Sequence, residues 1–139
     1  MSQTNKTILT AFIERVWSQG DAAAIETYIA SQYTIHNDPG DPWEGQTLNR
    51  DGFRNRLIQS RAPFPDQVFH IVDMVSEVER VAINWNWNAT HLGDLRGFPA
   101  TGKPITMTGF TLYSFQDNLL TGHWQVCDRL GVFQQLQAS

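Results

Sequence analysis

The chain has 139 residues, 41% hydrophobic and 17% charged, with a formal net charge of −4, which is the composition of a globular chain with one real core and not of a disordered one. Its ten Lys and Arg are scattered, Arg50, Arg54 and Arg56 reading as one solvated helix face, so nucleic-acid binding has little support. No apolar run approaches the ~20 residues of a membrane span, the N-terminal MSQTNKTILTAF lacks an apolar signal core, and Cys127 is the only cysteine, so a single domain over 1–139 in a reducing, cytoplasmic compartment is expected, away from membranes.

Residues 4–18 place Ile8, Leu9, Phe12, Ile13, Val16 and Trp17 on one broad helical stripe. Gly20 ends it and Asp21 can cap a second helix, DAAAIETYIA. HNDPGDPWEG is a loop with strong turn chemistry. Asn49 or Asp51 can cap a third helix carrying Phe53, Leu57 and Ile58, which must stop near APFPD because the residue before a proline leaves the helical region. The periodicity then switches to two. QVFHIVDMV is one strand and RVAINWNWNATH a second, HLGDLRGFPATGKP is a glycine-rich loop, and ITMTGFTLYSF and LLTGHWQVCD form a hairpin through QDN. Helices followed by antiparallel strands predict an α+β domain, helices packed on one sheet face.

Alternation assigns the faces. Asn84, Asn86 and Asn88 cannot all be buried without partners, so Val81, Ile83, Trp85, Trp87, Ala89 and His91 point inward. The same reasoning on the last strand sends Leu120, Trp124, Val126 and Asp128 inward and Thr121, His123, Gln125 and Cys127 outward. A carboxylate on an apolar inner face is desolvated, which raises its pKa and suits it to proton transfer. On the alternation alone, an aspartate that caps the strand end or pairs with Arg129 is the simpler account.

The segments THLGDLRGFPATGKPI and QDNLLTGHWQVCDRLGVFQQL, behind helices and a Pro- and Gly-containing loop after YTIH, resemble the SnoaL-like polyketide cyclases of the nuclear-transport-factor-2-like superfamily over essentially the whole chain. The resemblance implies a conical α+β barrel, with N-terminal helices on a strongly curved antiparallel sheet enclosing a pocket, and a site without cofactor. It implies an aspartate acid/base on the last long strand, matching Asp128, that removes a carbon-bound proton before aldol ring closure and returns it to the new alkoxide. It also implies a Gln/His pair on the preceding strand, where this chain has Gly109 and Thr111. The expected function is therefore cofactor-independent cyclisation or enolisation of a small polyketide-like carbonyl compound. A non-catalytic binder of a small apolar molecule, or an isomerase or hydratase, is the alternative.

His36, after the second helix, is a second candidate catalytic residue, and Trp85, Trp124, Thr111, His91 and Trp43 are candidate ligand contacts, Trp43 as a lid. The histidines show no metal-ligand spacing, so no metal is expected. The Asn-rich outer face suits a wet, hydrogen-bonded interface, and a homodimer is expected.

Overall fold

The computed structural model describes residues 2–138. Helix α1 (Ser2–Phe12) runs on into a π-helical turn, Ile13–Ser18. The widened turn leaves carbonyls outside the α-helical ladder. The Trp17 carbonyl accepts from Arg61 Nε at 3.1 Å and Gln67 Nε2 at 2.9 Å, which ties the turn to the stretch from residue 61 to residue 67. A 3₁₀ turn at Ala22–Ala24 leads into the short α2 (Ile25–Tyr28).

The second helix is shorter than its sequence suggests, because strand β1 begins at Ile29 and runs to Asn37. β-Branched and aromatic residues dominate its inward positions, and Ile29, Tyr33 and Ile35 are buried. Its partner, the strand Leu119–Cys127, lies some ninety residues away, a pairing that no local pattern announces. Strand β2 (Thr47–Leu48) precedes α3 (Arg50–Arg61), whose N-cap Asn49 accepts from the Gly52 N–H at 2.7 Å. Strands β3 (Val68–Glu77), β4 (Arg80–Thr90), β5 (Pro104–Gln116) and β6 (Leu119–Cys127) follow, and α4 (Arg129–Gln137) ends the fold.

The sheet order is β2-β1-β6-β5-β4-β3. The β1–β6 pair is parallel, so the sheet is mixed, where an antiparallel one was expected. It stays open at β2 and β3 and does not close into a barrel. The helices pack on its concave face, where Phe12, Phe53, Tyr33 and Tyr113 meet edge to face or tilted at 4.9–6.2 Å. No helix among the described residues is long and apolar enough to cross a membrane.

Inner and outer faces of β4 follow the alternation, with Val81, Ile83, Trp85, Trp87 and Ala89 buried. On β6 the expected alternation fails. Ser114 pairs with Gly122 but Phe115 pairs with Leu120, so Thr121 is an extra residue opposite the hairpin partner. This bulge reverses the parity of everything after it. His123 is buried, while Trp124 and Val126 face outward. Gly122 at the bulge is required by close approach, since a Cβ there would lie 2.5 Å from the Thr34 carbonyl oxygen of β1.

Candidate active site

The concave face of the sheet, α3, the π turn and α4 enclose a cavity of about 310 Å³. Its walls are aromatic: Trp17, Phe64, Phe69, Trp85 and Trp87 among them. At one end the inner residues of β6 meet the loop after β1. Asp38, fully enclosed at 0% exposure, is the centre of that cluster. It accepts from His123 Nε2 at 2.9 Å, from Arg129 at 2.8 Å, from Gln125 Nε2 at 3.2 Å and from Arg56 at 3.4 Å. Asp41 accepts from Arg56 at 2.8 Å and lies 3.7 Å from Arg129. Two guanidiniums and two carboxylates thus offset one another, Arg56, Asp38 and Asp41 almost wholly withdrawn from water and Arg129 a quarter exposed. Arg56 belongs to the buried side of α3, three residues after Phe53, and not to a solvated face; it is 4% exposed and stacks 5.1 Å over the Trp17 ring.

A hydrogen-bond chain crosses the site. Trp85 Nε1 donates to Thr111 Oγ1 at 2.9 Å, which donates to Gln125 Oε1 at 2.7 Å, and Gln125 donates on to Asp38. Beyond Asp38 comes His123, whose Nδ1 lies 2.6 Å from Tyr33 Oη. Burial alone would raise the Asp38 carboxyl, but hydrogen bonds and charge from His123 and Arg129 outweigh it and hold the group below the usual carboxylate range. Burial pushes His123 below the ordinary histidine value despite Asp38. An ionised Asp38 is acceptor-only, so Nε2 carries the proton of a neutral His123 and Nδ1 accepts from the Tyr33 phenol. Burial also pushes the Tyr33 and Tyr113 phenols upward, keeping both neutral hydrogen-bond donors. Tyr113 lines the cavity.

Several expected site residues lie elsewhere. Asp128 is exposed and is the N-cap of α4, accepting from the Gly131 N–H at 2.9 Å. A Cβ on residue 131 would sit 2.3 Å from the Asp128 carboxylate, so the D-x-x-G spacing is that of a helix cap. The assignment of Asp128 to the pocket wall is thereby corrected: the bulge at Thr121 removes the parity on which it rested. His36 is also outside the cavity. It alternates with the inward Tyr33 and Ile35, and stacks on Trp124 at 4.1 Å on the outer face. Trp124 is sandwiched there between His36 and Arg80, the latter at 4.8 Å. His91 is fully buried but beside the cavity, its Nδ1 2.9 Å from Thr101 Oγ1, holding the loop after β4. Thr111 stands behind the wall, supporting Trp85 and Gln125. Trp85 and Trp43 do line the cavity.

Cys127, expected outward, also lines it, its thiol pushed up to about 11 by burial. Gly109 leaves room for an indole: a Cβ there would lie 2.3 Å from Trp85 Cζ2. A glutamine at 109 is thus excluded by Trp85, and the chain carries its own Gln and His at 125 and 123, on the neighbouring strand. Strand alternation in the sequence missed this arrangement; the signals that could have found it are the Thr-Gly pair within β6 and the two aspartates in the turn-rich HNDPGD. Among the described residues no group of three or more His, Cys, Asp and Glu is arranged to hold a metal.

Comparison with known proteins agrees with this architecture. The family model for SnoaL-like polyketide cyclase matches residues 7–136. A candidate polyketide cyclase from Acidithiobacillus ferrooxidans is 51% identical, with a TM-score of 0.93 over 96% of this chain and 94% of its own. IdmH from Streptomyces antibioticus, likewise a candidate polyketide cyclase, is 25% identical with a TM-score of 0.80 over 96% of this chain and 99% of its own. A SnoaL-like protein from Jannaschia sp. CCS1, at 14% identity and a TM-score of 0.83 over 99% of this chain and 94% of its own, shares the fold. No curated protein matches the chain. The conical α+β fold, the cavity closed by its helices and the match over nearly the whole length lead to one conclusion: the chain belongs to the SnoaL-like polyketide cyclase family.

Proposed function

We propose that this protein catalyses a cofactor-independent enolisation or intramolecular aldol-type ring closure of a small polyketide-like carbonyl compound, and that the acid/base is the Asp38–His123 pair. The observation that carries the reading is the chain Asp38–His123–Tyr33 at the wall of an aromatic cavity. His123 is neutral, its tautomer set by Asp38, and the Tyr33 hydroxyl occupies its basic nitrogen. As a carbon-bound proton leaves the substrate for the Tyr33 oxygen, the phenolic proton passes to His123 Nδ1, and Asp38 stabilises the imidazolium. The electron pair of the broken C–H bond delocalises onto the adjacent carbonyl, where Arg56 and the Tyr113 phenol are the available donors. Attack on a second carbonyl carbon forms the ring, and the alkoxide takes the same proton back along the relay.

The enclosure of Asp38 by four donors favours a second reading, a non-catalytic pocket for the same class of ligand. Proton exchange separates the two. 2-Tetralone, a two-ring ketone suited to a cavity of about 310 Å³, is incubated in D2O and its α-hydrogen exchange followed by NMR. The wild type is expected to accelerate exchange, with His123→Gln and Asp38→Asn losing roughly 10²–10⁴-fold and Asp128→Asn unchanged. Exchange no faster than in buffer would favour the binder. Loss only in Asp128→Asn would return the acid/base to that residue.

A further inference from the structure

We infer that the cavity selects an anionic ligand, one bearing a carboxylate or comparable acidic group at its solvent end, and that Arg96 is the specificity-determining residue. The inference rests on the reading that the cavity holds a small planar carbonyl compound, and adds what stands at its open end. The exposed lining residues Gly40, Pro42, Gln59 and Arg96 mark the mouth. Three arginines line the cavity, and two of them are neutralised: Arg56 by Asp38 and Asp41, Arg129 by the same pair. Arg96 has no carboxylate partner among the described residues. One of its terminal nitrogens donates to the Gly40 carbonyl at 2.8 Å, across from the opposite rim, and its other N–H groups have no partner among the described residues. A guanidinium held at a cavity mouth with free donors is a preformed site for a planar oxyanion.

The backbone supplies an independent reason. Arg96 and Gly97 are the central residues of a two-residue turn closed by Leu95 and Phe98, which exchange hydrogen bonds of 2.9 and 2.8 Å. Both central residues have positive φ, +40° at Arg96 and +87° at Gly97. Such turns take Asn, Asp or Gly at the first position, since a long side chain there strains the backbone. An arginine in that conformation, lining a cavity and bonded across its rim, points to a functional constraint. The rest of the lining completes the recognition: an apolar aromatic body between the tryptophans, a carbonyl at the Arg56–Tyr113 end, and the acidic group at Arg96.

Isothermal titration calorimetry with 2-naphthoate and 2-naphthamide tests this, the two probes differing in charge and little in shape. The wild type is expected to bind the acid roughly tenfold more tightly, as one charge-assisted contact implies. That preference should shrink as salt rises. Arg96→Gln should bring the ratio to near one, chiefly by weakening the acid, and Arg96→Lys should restore part of it, separating charge from turn geometry. Equal affinity of the wild type for acid and amide, or an unaltered ratio in Arg96→Gln, overturns the inference and leaves the cavity reading standing. Binding of neither probe would overturn both.

Discussion

Replacing Asp38 with alanine deletes a fully enclosed carboxylate that accepts from His123, Gln125, Arg56 and Arg129. Removing one member of a buried ion pair costs about 3–5 kcal/mol, because the partner charge stays buried without compensation. Here the damage is partly absorbed. Arg56 keeps Asp41 at 2.8 Å, and Arg129 keeps the Pro39 carbonyl at 2.6 Å. The lower end, about 3 kcal/mol, is therefore expected, a large share of the 5–15 kcal/mol that holds a typical domain together. For a chain of this size that corresponds to a fall of roughly 10 °C in melting temperature. Urea unfolding followed by tryptophan fluorescence measures it, and the slope with denaturant should be unchanged, since the native surface is the same. Asp38→Asn, which keeps one acceptor oxygen, should fall between wild type and alanine. A loss below about 1 kcal/mol in Asp38→Ala would refute the reasoning, because Asp38 would then not be compensating the buried Arg56 and the partly buried Arg129.

Stability should fall on acidification in two stages. His123 is held below its ordinary value, so the unfolded chain binds the proton first and stability declines as the pH drops below about 6.5; Asp38, also lowered, adds a further loss below about 4. His123→Gln should flatten the first stage in a pH series of thermal melts and leave the second, and an unchanged first stage would assign it to another group. On the outer face, Phe110 at 68% and Val126 at 63% exposure stand side by side, each aligned with the other across β5 and β6. Light scattering at micromolar concentration is expected to give a homodimer joined through this face, with Phe110→Asp shifting it to monomer; a wild-type monomer would end that expectation.

What could be read along the chain was whatever depends on neighbours in sequence. The stripe from Ile8 to Trp17 and the Trp85/Trp87 face follow from periods of 3.6 and 2, and of the two caps offered for the third helix, Asn49 and Asp51, the structure uses Asn49. The family was legible too, because its most specific motifs, the glycine-rich loop and the last strand with its tail, are contiguous. Strand β1 was not legible, because its helix-like start is overridden by a parallel pairing with β6. The polar site was misplaced for a smaller reason. One extra residue at Thr121 turned His123, Gln125 and Cys127 inward and left Asp128 to cap a helix.

The sequence by itself determined the first and third helices, strands β3 to β6, the apolar face of β4 and the family, since local periodicity and contiguous motifs survive any folding of the chain. Only the tertiary structure decided which aspartate is buried among polar partners beside the cavity and which caps a helix. Asp38 and His123 are 85 residues apart. They meet because β1 lies parallel to β6, an arrangement fixed by long-range strand pairing and by a glycine small enough to let β6 approach the Thr34 carbonyl. The protonation state of His123 likewise depends on burial and on Asp38, and neither is written beside it in the chain.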